Sequence, residues 1–134
     1  METLTDSLPP PPPEVEPQEK PRAFLALTTR QRDWMMTMAY LHLEQRKPDP
    51  ARILLRLVYR AFPDDPEVQR CLALAELLAG SPGAAARAAT RAFKQCEDHL
   101  RVPVGLVFAK ALWEQGQQEP ARDFLASLLN HERR

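Results

Sequence analysis

Cys71 to Ala85 reads CLALAELLAGSPGAA. The first part is a Leu- and Ala-rich run of helix-favouring composition. Gly80 stops it, because glycine takes the left-handed conformation that ends helices. Ser81-Pro82 starts the next helix, with a capping side chain ahead of a proline whose missing N–H costs nothing at the first helical position. One short stretch therefore encodes a helix, a tight turn and a second helix. Ala73 and Ala85, 12 residues apart, supply small side chains where the two helices cross closely.

The same arrangement lies on either side. Thr37 to Ala51 reads TMAYLHLEQRKPDPA, and Val107 to Ala121 reads VFAKALWEQGQQEPA. Ala39 with Ala51, and Ala109 with Ala121, repeat the 12-residue spacing. Gly116 stands where Gly80 does, and Arg46 replaces that glycine in the first copy. Ala51, Ala85 and Ala121 are separated by 34 and 36 residues. A period near 34 built of paired helices is the mark of tetratricopeptide (TPR)-like repeats. The sequence thus predicts an all-α fold of three TPR-like helical hairpins, stacked as a short right-handed solenoid with a concave groove. Helices are expected at about 29–46 with 50–62, 66–79 with 83–97, and 102–115 with 119–131. The repeats span about 29–63, 66–98 and 102–131 of a domain covering 24–134. Thr28 with Gln31 reads as a capping box. Asp49, Asp65 and Ser81 are expected caps, each followed by proline.

Residues 1–23 differ in kind. Met1 to Lys20 holds the proline run Pro9 to Pro13, five acids against one lysine, and no apolar periodicity. Such a stretch buries too little apolar surface to offset ordering entropy, and reads as a disordered, acidic, proline-rich arm. Over the whole chain 18 basic residues balance 18 acidic ones. No global field attracts nucleic acid or an anionic membrane. No stretch approaches the roughly 20 apolar residues of a membrane span. The N-terminus lacks the basic and apolar regions of a secretory signal. Cys71 and Cys96 read as reduced cytosolic thiols.

Stacked helical hairpins bind other proteins along their concave face, which the first helix of each pair lines. The residues of those helices that face away from their own partner helix are Asp33, Met36, Tyr40, Leu43 and Glu44 in the first repeat, Glu67, Arg70, Leu74 and Leu77 in the second, and Leu106, Lys110, Trp113 and Glu114 in the third. They form a groove apolar at its centre and charged at its rim, the anatomy of a protein-binding surface. An amphipathic helix or a leucine-rich segment suits it. A segment of the chain itself, Ala23 to Leu27, is the alternative occupant. An uncovered groove of this kind predicts self-association when no partner is present.

Other constellations point to no chemistry. Arg52, Arg56 and Arg60, with Arg87 and Arg91, form a stripe on the second helices that reads as a solvated convex face, since no aromatic residues interleave for nucleic acid. Cys96-Glu97-Asp98-His99 falls short of the four ligands of a structural zinc site. His42, His99 and His131 are scattered, so no catalytic set can be assembled, and neither metal nor cofactor is expected.

The chain resembles a small TPR chaperone of bacterial type III secretion, of the YscY (SctY) family. The resemblance runs from about Leu27 to Leu129. It is carried by Leu27-Thr28-Thr29-Arg30-Gln31, Ala51-Arg52-Ile53-Leu54-Leu55, Arg70-Cys71-Leu72-Ala73-Leu74, and Gly116 to Ala121. The opening segment and the compact three-repeat size weigh most. The resemblance implies a chaperone of the bacterial cytoplasm that binds a small early-exported protein of the YscX type and helps deliver it to the inner-membrane export gate. A chaperone of pore-forming translocators, the LcrH/SycD type, is the nearest competitor. A TPR scaffold binding through its arginine face or proline arm is the third.

Overall fold

A computed structural model describes residues 26–133, so the expected arm at 1–23 lies outside the described residues. Six α-helices follow one another: α1 Thr29–Glu44, α2 Pro48–Ala61, α3 Pro66–Leu78, α4 Pro82–Gln95, α5 Arg101–Glu114 and α6 Gln118–Arg133. A short 3-10 turn, Asp98–Leu100, precedes α5. The described residues contain no strand.

The helix starts divide by backbone angle. Thr28 (ψ 164°) and Asp65 (ψ 115°) are extended, which aims their side chains at the free amides of the first turn. Thr28 Oγ1 accepts from the Gln31 amide at 3.0 Å while Gln31 Oε1 accepts from the Thr28 amide at 2.9 Å, a complete capping box. Asp65 accepts from the Glu67 and Val68 amides. The expected caps at Asp49 and Ser81 do not form. α2 begins earlier, at Pro48, and puts Asp49 inside the first turn, where its carboxylate favours the helix dipole. Ser81 does precede α4, but its ψ of 71° turns the hydroxyl away from the amides; the hydroxyl accepts from Arg52 Nη1 at 3.3 Å.

The three hairpin turns share one design. At each, a residue with positive φ follows the first helix: Arg46 (61°), Gly80 (87°) and Gly116 (83°). The next amide reaches back five residues, Lys47 to His42, Ser81 to Glu76 and Gln117 to Leu112, at 2.8, 2.9 and 3.0 Å. The positive-φ residue itself donates to Leu43, Leu77 and Trp113 respectively. This is the Schellman closure, which satisfies carbonyls at a helix end. It repeats three times in the register that the sequence spacing predicts.

Each helix packs on its neighbours in sequence, and the first helices α1, α3 and α5 also touch in series. The six alanines expected at the crossings, Ala39, Ala51, Ala73, Ala85, Ala109 and Ala121, are all buried. Around the first of these sits a core of Met35, Met36, Leu55, Val58, Val68, Leu72 and Ala75. The last hairpin approaches closely because Gly105 has no side chain: a Cβ there would lie 2.6 Å from Leu128 Cδ2 and 3.3 Å from Phe124 Cε2. Phe124 also packs edge-on against Phe93 and Phe108, with ring centroids 5.5 and 4.9 Å away, joining α4, α5 and α6.

Arg56, Arg60, Arg87 and Arg91 are exposed, as a solvated face requires, but Arg52 and Arg56 also have a second role. Glu76 of α3 is buried at 3% exposure, and α2 neutralises it. Arg56 grips both its oxygens, at 2.7 and 3.0 Å, and Arg52 lies 3.7 Å away. A buried carboxylate needs such pairing because leaving water unpaired would cost several kcal/mol (~3–5). Further along, Arg91 stacks on Tyr59. Arg52 and Arg56 thus tie α2 to α3, and Arg91 ties α4 to α2.

Candidate functional site

The first helices bring a shallow apolar cleft of about 190 Å³ to one face. Tyr40 of α1, Arg70, Cys71 and Ala73 of α3, and Leu100, Pro103, Val104 and Val107 at the start of α5 line it. Leu74, one turn beyond Arg70 on α3, is 37% exposed.

A polar network sets the edge of the cleft. Arg32 of α1 reaches the N-terminus of α3, donating through Nε to Asp65 Oδ2 at 3.0 Å and through Nη2 to Glu67 Oε1 at 2.7 Å. The Tyr40 hydroxyl donates to the other Glu67 oxygen at 2.7 Å. Burial would raise the Glu67 carboxyl, but the hydrogen bonds from Tyr40 and Arg32 outweigh it and hold the group below the usual carboxylate range. Burial, with the Cys71 and Glu67 contacts, pushes the Tyr40 phenol well above its ordinary value. Burial likewise raises the Cys71 thiol, which keeps it protonated and a poor nucleophile.

The expected groove residues separate into three groups. Tyr40 and Arg70 line the cleft, and Leu74 lies open on the same helix as Arg70. Leu106, Lys110 and Trp113 line a different depression, about 520 Å³, together with Ala109, Ala121 and Leu125 between α5 and α6. Met36 does not reach the surface. It is 2% exposed and belongs to the core, and Leu43 packs partly buried against that core, because α3 stacks over this part of α1. Leu77 is half-buried. The alternative occupant, Ala23 to Leu27, is not a helix where it is described: Ala26 and Leu27 are irregular, and Leu27 packs against the core near Trp34.

Several cleft residues escaped the sequence reading. Leu100, Pro103, Val104 and Val107 enter it where the 3-10 turn leads into α5. Arg32 is an ordinary surface type, and only the fold pairs it with Glu67, which the spacing does place on the groove face. Glu76 did carry a signal, as the one acid inside the run CLALAELLA. Among the described residues no group of three or more histidine, cysteine or acidic side chains is placed to hold a metal, and no helix is long and apolar enough to cross a membrane.

No protein-family model matches the chain, and no curated protein matches it.

Proposed function

We propose that the chain is a TPR-type chaperone of the bacterial cytoplasm, similar to the YscY family of type III secretion. In this reading the three hairpins form a short right-handed solenoid whose inner row is α1, α3 and α5. The groove covers an apolar segment of a small early-exported protein of the YscX type and presents it to the inner-membrane export gate. An exported chain must stay unfolded, so its apolar segment needs a temporary cover, and an apolar groove supplies one without a cofactor.

The observation that carries this reading is the cleft itself. It draws on three successive first helices, its lining is mostly apolar, Tyr40 in it is 42% exposed, and Leu74 stands 37% exposed one turn from Arg70 on the same helix. The contacts of α1 with α3 and of α3 with α5 support an inner row of first helices. The rim network argues for a rigid groove edge, since Arg32, Glu67 and Tyr40 fix one another.

The test is co-expression of the full chain with a YscX-type protein from the same cell, followed by copurification and titration. A Tyr40→Ala, Leu74→Asp double variant that keeps its helical circular dichroism should bind that protein at least about tenfold more weakly, as loss of hot-spot contacts does. Unchanged binding by the folded variant removes the groove from the function. Failure of the wild-type chain to bind any YscX-type protein removes the chaperone assignment.

A further inference from the structure

The depression between α5 and α6 is a stacking surface left open among the described residues. Its lining residues stand 70 positions after residues of the first hairpin: Leu106 after Met36, Trp113 after Leu43, Leu125 after Leu55. In the first hairpin that surface is closed, with Met36 at 2% and Leu55 at 0% exposure, because α3 lies on it. At the end of the array Leu106 is 51% and Trp113 41% exposed. Leu129, 54% exposed, extends the apolar area along α6.

What fits there is legible from the two interfaces already made. The helix that stacks presents a valine, a large apolar residue four on and an alanine three further: Val68, Leu72 and Ala75 in α3, Val104, Phe108 and Ala111 in α5. Charge follows a second rule. Where α2 carries Arg52 and Arg56, the incoming α3 carries Glu76, which Arg56 grips at 2.7 and 3.0 Å and Arg52 approaches to 3.7 Å; the Arg56 register of α6 holds Ala126, so only the Arg52 register keeps its cation there. Where α4 carries Ala86 in the same register, α5 carries Leu112 in the register of Glu76. In α6 that register holds Arg122, which has only the exposed Glu119 beside it at 3.2 Å and stacks over Trp113 at 5.4 Å. Lys110, in the lining, pairs with Glu114 of its own helix at 3.2 Å.

We propose that this end face docks an amphipathic helix of another protein, stacked as α3 stacks on α1 and α2, with a carboxylate in the Glu76 register that pairs with Arg122. A second copy of the chain fits badly. Its free first helix, α1, carries Trp34 where Val68 and Val104 sit, and His42 where Glu76 sits. The bulk would not enter and the acid would be missing. The surface is separate from the Tyr40–Leu74 cleft, so it stands whether or not the groove holds an exported client.

The probe is a synthetic peptide of residues 65–79, bridged between positions 70 and 74 so that it is helical on its own, since an unbridged helix of this length is marginal. Binding to the full chain is read by fluorescence anisotropy under reducing conditions. Saturable binding is expected, weakened at least about tenfold by Arg122→Glu and by Trp113→Ala, a loss typical of a close charge pair or a buried aromatic anchor. A peptide with Glu76→Arg should regain affinity for the Arg122→Glu chain. Tyr40→Ala with Leu74→Asp should leave peptide binding unchanged, which separates this face from the groove. No binding up to about millimolar peptide, or binding indifferent to Arg122 and Trp113, overturns the proposal. So does a dimer of the free chain that Trp113→Ala dissolves, which gives the face to a second copy. So does a Lys20–Lys110 cross-link that the peptide fails to displace, which gives it to the chain's own first residues.

Discussion

Arg46 carries a conformation meant for glycine. Its φ of 61° places it in the left-handed region, where a side chain costs about 1–2 kcal/mol and glycine costs nothing. Arg46→Gly should therefore stabilise the chain by roughly 0.5–1 kcal/mol, once the greater freedom of glycine in the unfolded state is set against the relief. Urea unfolding followed by circular dichroism checks this, and a fall in the midpoint would mean that the Arg46 side chain contributes more than its backbone costs. The position was legible from spacing, since Gly80 and Gly116 mark the same step of the repeat. Glu76 was not given its role from sequence. Its partners Arg52 and Arg56 lie on the preceding helix, and a four-residue stripe of arginine has the same appearance whether it faces water or a buried acid. Met36 was misplaced for a related reason: its register names a face of α1, but only the stacked α3 decides whether that face is open.

At the scale of elements, the start of α3 is the most constrained joint in the chain. Asp65 caps the helix, Arg32 bridges Asp65 and Glu67, and Tyr40 closes on Glu67. The folded Glu67 carboxyl sits below its ordinary range, so it binds a proton less readily folded than unfolded. Its contribution to stability is full above the unfolded carboxylate value near 4.3 and is lost as pH falls through the folded one. Thermal melts of the full chain should show a decline below about pH 4.3 that is shallower in Glu67→Gln. Parallel declines in the two proteins would show that Glu67 does not couple to folding. Cap sequences were only partly legible. Thr28 and Asp65 follow extended backbone and cap as their residue types suggest. Ser81 follows a Schellman turn that leaves ψ at 71°, and the geometry of the turn overrides the preference of the residue.

For the whole molecule, the outermost helices differ from the inner ones in what they leave open. Trp34 and Leu41 of α1 are 62% and 44% exposed, whereas Val68 and Ala75, their counterparts in α3, are fully buried. The repeat was readable because it is local, a matter of turns and small residues at fixed spacing. The cleft was only half readable because its far wall depends on the 3-10 turn before α5, which falls where the spacing stretches from 34 to 36 residues. Amide hydrogen exchange should be slowest in α3 and α4, which have a hairpin on either side, and fastest in α1 and α6. Equal protection across all six helices would mean that the array opens only as one unit.

The serial packing of neighbours has a mechanical consequence. In a one-dimensional stack, each hairpin's tendency to open is set by the hairpin beside it, so the array unzips from its ends. A helix laid on Trp113 would close that face and raise the opening energy of α5 and α6 first, then pass part of that gain inward. Occupancy at the tip would thus be felt as stiffness at the cleft, with no atom of the cleft displaced.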